Sequence, residues 1–249
     1  MNKRKSNNSS FNIINFDEIC DDGKEKPKKK CFLMPDHPFR LLICGGSGSG
    51  KTNVLMNMIT RFLDYDKIYI YTKHLDQDKY KWLQDFFHAI EEDPDLQDMA
   101  DFPIAVYGTH IKDLVPVDKL DKEKRNLVIF DDMLLEKDQR PMTEFYIRAR
   151  HKNCSVVYLS QSYFSTPKDI RANCSCFMIF DIPAQRQLNM ILSDHCSEVD
   201  KDEFKNMFRQ AVSKPFNFFL VDSGNKNKEL KYRSGFDDVF VPDDFNDTS

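Results

Sequence analysis

Apolar positions along this chain fall into two kinds of run that alternate. Short continuous runs at Phe39–Cys44, Lys67–Tyr71, Ile104–Tyr107, Leu127–Phe130, Val156–Ser160, Phe177–Phe180 and Phe216–Val221 predict buried strands. Between them the spacing changes to three and four. Lys51–Phe62 carries Leu55, Met58, Ile59 and Phe62 on one helical face, and Leu75–Ile90 does the same with Trp82, Leu83, Phe86, Phe87 and Ile90. Helices are also predicted over Pro141–Arg150, Pro183–Ser193 and Val199–Val212, where Pro141 and Pro183 suit a first helical turn. Strands apolar on both faces, alternating with helices, require a parallel sheet covered on both sides. The expected fold is therefore α/β, a doubly wound and mainly parallel sheet. At helical spacing, Trp82 and its aromatic neighbours are assigned to the core rather than to a base-stacking platform.

Composition changes this picture at the ends. The chain has 249 residues, 41% hydrophobic and 31% charged, which suits one α/β domain with extensions. The pattern divides it into a basic, polar and flexible N-terminal tail over 1–37, a domain over 38–238 and an acidic C-terminal tail over 239–249. The Lys24–Lys30 run reads equally as a nuclear import signal, a nucleic-acid arm or a solvated tail. The net charge of −4 excludes a bulk polycation, so any nucleic-acid contact has to be local. No apolar run is long enough to cross a bilayer, and no secretory signal is visible, which argues for an intracellular protein without a membrane partner. Seven cysteines with no CxxC pair are expected to be reduced and buried, with Cys174 and Cys176 facing one side of a strand.

The candidate chemistry begins where the first strand runs into glycines. Gly45-Gly46-Ser47-Gly48-Ser49-Gly50-Lys51-Thr52 matches G-x-x-x-x-G-K-[ST], with a strand before it and a helix after it. Backbone N–H groups of such a P-loop converge on phosphate oxygens, helped by the partial positive charge of the helix N-terminus. Lys51 would reach the β and γ phosphates, and the Thr52 hydroxyl would ligate Mg²⁺, so ATP and Mg²⁺ are the expected ligands. Asn126–Phe130 ends in Asp131 and Asp132, at the strand end where open α/β sheets bind ligands. Asp131 would hold the Mg²⁺ shell and Asp132 would orient and activate water. Gln161, at the tip of the Val156–Ser160 strand, can both donate and accept, and so can hold the attacking water against the γ phosphate.

This ordering resembles the genome-packaging ATPases of large DNA viruses, virophages and related virus-like transposons, within the FtsK/HerA superfamily of ring-forming DNA pumps. The matching pieces are the Gly45–Thr52 loop, Phe130-Asp131-Asp132, Arg148-Ala149-Arg150-His151 and Tyr158–Phe164. They continue through Pro167–Asn173, Phe219–Asp222 and Arg233–Asp237, so that the likeness covers about residues 38–238. The resemblance implies a glutamine strand inserted between the P-loop strand and the acidic strand. It further implies a hexameric or pentameric ring that threads double-stranded DNA into a capsid, acting in host cytoplasm, nucleus or virion. Many members of the superfamily carry Glu where this chain has Asp132, which is a methylene shorter. Arg150 and Arg171 are the candidate arginine fingers, delivered to a neighbouring subunit.

Two other classes use the same loop. A P-loop nucleoside or nucleotide kinase is the alternative, and it would act on a small molecule without DNA. A GTPase is disfavoured because Asn225-Lys226-Asn227-Lys228 lacks the aspartate of the N-K-x-D guanine reader. His151 has no carboxylate or cysteine at ligand spacing and receives no chemical role.

Overall fold

The computed structural model of the protein describes residues 3–5, 33–93, 104–182, 184–225 and 227–242. Among these, ten strands form one sheet. In chain order they are β1 Lys3–Lys5, β2 Arg40–Cys44, β3 Lys67–Thr72, β4 Ile104–Gly108 and β5 Asn126–Asp131. They continue as β6 Cys154–Ser160, β7 Cys176–Ile179, β8 Phe219–Asp222, β9 Tyr232–Ser234 and β10 Asp238–Phe240. The helices are α1 Lys51–Asn57, continued by a π-turn over Met58–Phe62, α2 Asp78–Glu92, α3 Arg140–Arg148, α4 Lys168–Asn173, α5 Gln185–His195 and α6 Lys201–Ala211.

The strand order is β1-β10-β9-β8-β7-β2-β6-β5-β3-β4. From β4 to β7 every pairing is parallel, and from β7 onward every pairing is antiparallel. Parallel neighbours need crossover connections that return over a face of the sheet. Side-chain alternation then divides the core into two layers. Leu41, Ile43, Ile129 and Leu159 meet α1 and α2 on one face. Leu42, Val128, Phe130 and Tyr158 meet α3, α4, α5 and α6 on the other. Both faces are covered, as the apolar runs require.

Several sequence expectations shift. The strand expected from Phe216 begins at Phe219 and pairs antiparallel. Helix α4 and strands β9 and β10 had no pattern long enough to announce them. Cys174 and Cys176 do not share a face: α4 continues to Asn173, so strand alternation starts only at Cys176, and the two thiols enter opposite core layers. Both are buried and free, as are Cys44, Cys154 and Cys196, whereas Cys20 and Cys31 lie outside the described residues.

Packing also reaches past both domain boundaries. Leu33 and Met34 are buried ahead of residue 38, and Val239 and Phe240 are buried beyond residue 238. His37 bonds to Ser155 Oγ at 2.9 Å and Asn153 Oδ1 at 2.7 Å, joining the incoming chain to the start of β6. At the other end, the buried Arg233 guanidinium pairs with Asp222 at 3.2 Å and donates to the carbonyls of Leu33 and Phe236. The Lys24–Lys30 run, Pro183 and residues 243–249 lie outside the described residues. Among the described residues, no helix is long and apolar enough to cross a membrane.

Candidate nucleotide site

The C-terminal ends of β3, β5, β6 and β2 open onto one cavity of about 870 Å³, lined by the Ser47–Thr52 segment, Asp131, Asp132 and Gln161. Its floor is the loop after β2. The Gly45 amide donates to the Ser160 carbonyl at 3.1 Å, tying the loop's first residue to the tip of β6. A Cβ on Gly45 would lie 2.6 Å from Phe180 Cβ and 2.7 Å from Ser49 Oγ, so only glycine fits. Gly48 and Gly50 take φ of 72° and 102°, left-handed values that glycine adopts without strain and that let the loop turn before α1 begins.

Lys51 Nζ donates to the carbonyls of Gly45 and Gly46, each at 2.7 Å, so its ammonium lies across the loop. Burial lowers its pKa, and Asp131 acts in the opposite direction. Ser49 Oγ is buried with no hydrogen-bond partner in the chain.

Asp131 ends β5 and accepts a hydrogen bond from the Tyr80 hydroxyl of α2 at 2.5 Å. Burial raises the pKa of its carboxyl, while the Tyr80 bond and the Lys51 charge pull it down. Asp132 follows the strand with φ of 53°, in the left-handed region. There Oδ2 lies 3.0 Å from His74 Nε2, just past β3. Thr52 and Asp131 offer hard oxygen donors of the kind Mg²⁺ takes. Among the described residues, no cluster of three or more His, Cys, Asp or Glu side chains is placed to hold a metal by itself. An ion held here by Thr52 and Asp131 would need further ligands from phosphate and water.

Gln161 is exposed immediately beyond β6. The sheet order puts β6 between β2 and β5, so Gln161 lies between the P-loop and the acidic pair. The family described as Poxvirus A32 protein matches residues 28–238.

The chain belongs to the poxvirus A32 family.

Relatives include the DNA packaging protein OPG160 of monkeypox virus, 29% identical over 210 residues, or 82% of this chain and 68% of that protein. The protein of the same name from vaccinia virus (strain Copenhagen) is 29% identical over 183 residues, 71% of this chain and 66% of its own length. Among solved structures, the genome packaging NTPase B204 from Sulfolobus turreted icosahedral virus 2, in complex with AMP, aligns with a TM-score of 0.48 at 13% identity. That alignment covers 78% of this chain and 96% of that chain.

The two candidate fingers of this A32-family chain are not at its own cavity. Arg150 sits in the 3-10 turn Ala149–Lys152 that leads into β6. β6 is seven residues long, so about 20 Å of sheet separates Arg150 from Gln161. Arg150 is exposed and makes no ion pair among the described residues, whereas Arg148 is engaged by Asp118 and Glu144. Arg171 differs from expectation. Its guanidinium lies 4.8 Å from the Tyr163 ring centroid and 3.6 Å from Asp194, with its side chain 12% exposed. Two of its nitrogens, Nε and Nη1, are buried without a hydrogen-bond partner among the described residues, and its contacts with Tyr163 and Asp194 join the loop after β6 to α5.

Sequence reading missed Tyr80, His74, Phe180 and Phe216 of the A32-family site. None belongs to a motif, and each reaches the site through packing between elements distant in sequence.

Proposed function

We propose that this A32-family chain is an ATP-hydrolysing subunit of a DNA translocase that packages a viral or virus-like genome. The observation that carries the reading is the insertion of β6 between β2 and β5, which aligns phosphate cradle, polar amide and acidic pair on three adjacent strands. The relatives named as DNA packaging proteins supply the biological direction.

Loop amides from Gly45 to Gly50, with Lys51, hold the triphosphate and neutralise its charge. Thr52 and Asp131 would hold Mg²⁺, which would withdraw charge from the phosphoryl oxygens. Tyr80 fixes the rotamer of Asp131. Asp132, held by His74, accepts the proton of the attacking water, and Gln161 positions that water in line with the γ phosphate. Arg150 lies too far from its own cavity, so it acts on a neighbour's cavity in a homo-oligomeric ring, where its guanidinium meets the charge developing on the transferred group. The substrate of the motor is double-stranded DNA, gripped through phosphates without sequence preference, and capsid proteins are the docking partners.

The test is steady-state ATP turnover titrated with two unrelated double-stranded DNAs at several salt concentrations, with the mass of the assembly measured in nucleotide. Turnover that rises with either DNA and falls back with salt is expected. A monomer that ignores DNA and is stimulated by a nucleoside would reassign the protein to the phosphotransferases.

A further inference from the structure

Groups suited to γ-phosphate chemistry all lie on one side of the P-loop strand. Gln161, Asp132 and His74 stand at the ends of β6, β5 and β3, so a nucleotide bound with its γ phosphate toward them directs its other end across β2 toward β7 and β8. β8 runs antiparallel to β7, with Phe219 opposite Ile179. Reversal of direction brings the segment preceding β8 to the ligand end of the sheet, beside the glycines. Phe216 is in that segment.

Phe216 is 69% exposed and has φ of 62°, a left-handed conformation that a bulky side chain rarely adopts. Its ring lies 3.4 Å from where a Gly50 Cβ would stand, so the ring is against the P-loop itself. Among the described residues it pairs with no other ring, whereas its neighbours Phe180 and Phe218 are buried against each other. The segment is anchored at Asn217, directly after Phe216. The Asn217 amide donates to the Lys214 carbonyl at 3.2 Å, and Asn217 Nδ2 donates to Ser234 Oγ at 3.1 Å. A second recess of about 350 Å³ lies between this segment and Gly48, Ser49 and Phe180, and shares Phe216 with the main cavity. An aromatic face held rigidly at the rim of a phosphate cradle, with open space beside it, fits a planar heteroaromatic ring.

We propose that Phe216 is the platform on which the base of the bound nucleotide stacks. The proposal rests on the nucleotide reading above and adds which end of the cavity takes the base. Stacking on one aromatic face is tolerant of the ring's exocyclic groups, so it contributes affinity through area rather than through hydrogen-bond readout.

Calorimetric titration separates base from phosphate. ATP and inorganic tripolyphosphate, each with Mg²⁺, are titrated into the full chain, into Phe216→Ala and into Phe216→Trp. Phe216→Ala is expected to weaken ATP about tenfold while leaving tripolyphosphate within about twofold, and Phe216→Trp to keep ATP affinity. Equal weakening of both ligands would mean that the ring only shapes the loop, and no change in either would put the base elsewhere; both overturn the proposal. A wild-type protein that binds tripolyphosphate and ATP equally overturns it as well, and one that binds neither removes the nucleotide reading along with it.

Discussion

Asp131 and Asp132 are each held by one side-chain partner, Tyr80 and His74, that a single substitution can remove. Asp132→Asn keeps the size of the side chain and its contact with His74 but loses a proton acceptor. We expect kcat to fall by about two orders of magnitude with ATP affinity little changed, measured as steady-state turnover beside direct nucleotide binding. Gln161→Ala is expected to behave alike, because an amide that orients water acts in the transition state and not on bound ATP. Tyr80→Phe removes only the hydroxyl that Asp131 accepts. Mg²⁺ affinity in the presence of nucleotide is then expected to weaken about tenfold, the usual consequence of losing a group that orients a ligand. An unchanged Mg²⁺ titration would show that Asp131 does not depend on Tyr80. Tyr80 was beyond reach of sequence reading because its role depends on how α2 is rotated over β5, and helical periodicity reports only which face is apolar.

At the scale of elements, legibility followed length and apolarity. β2, β3, β5 and β6 were readable because each is a run of apolar residues buried on both faces, and α2 and α6 because four buried residues recur along one side. β9 was not, since Tyr232-Arg233-Ser234 is a strand only because Arg233 finds Asp222 and two carbonyls inside the protein. No propensity encodes that pairing. Helix α5 carries an element-scale prediction through its last residue. His195 lies 4.2 Å from the Phe177 ring and 3.1 Å from the Tyr163 hydroxyl, and burial pushes its pKa down to about 4. His37 is lowered in the same direction, again chiefly by burial. A histidine whose folded pKa is depressed contributes stability above its unfolded value, and that stability is lost as pH falls toward the folded value. The melting temperature is therefore expected to drop between about pH 6.5 and pH 4. His195→Gln should flatten that drop, since the substituted side chain takes up no proton. An equally steep profile in the variant would assign the acid sensitivity to other groups.

Over the whole molecule, the parallel half of the sheet carries the P-loop, Gln161 and the acidic pair, and the antiparallel half adds the aromatic segment beside them. On the proposed reading, the net charge of −4 would leave DNA binding to local cations, which a ring would multiply by its subunit number. Delivery of Arg150 between subunits has a direct check. Arg150→Ala and Lys51→Ala proteins, each expected to be nearly inactive alone and to melt close to wild type, should regain part of the turnover when mixed. Recovery arises because some interfaces then join an intact cradle to an intact arginine. A mixture no more active than its parts would remove the finger role.

Strand β6 adds a constraint on timing. All seven of its residues are buried, and it is hydrogen-bonded on both edges, to β2 and to β5. Gln161 follows one end, and the turn holding Arg150 precedes the other. A strand so enclosed neither stretches nor slips by a fraction of a residue, because its register is fixed on both sides and its surroundings are close-packed. Any travel along its axis at one end is the same travel at the other. In a ring, the amide that watches over one subunit's γ phosphate would then be coupled mechanically to the cation offered to the next, so that successive subunits would fire in a fixed phase relation.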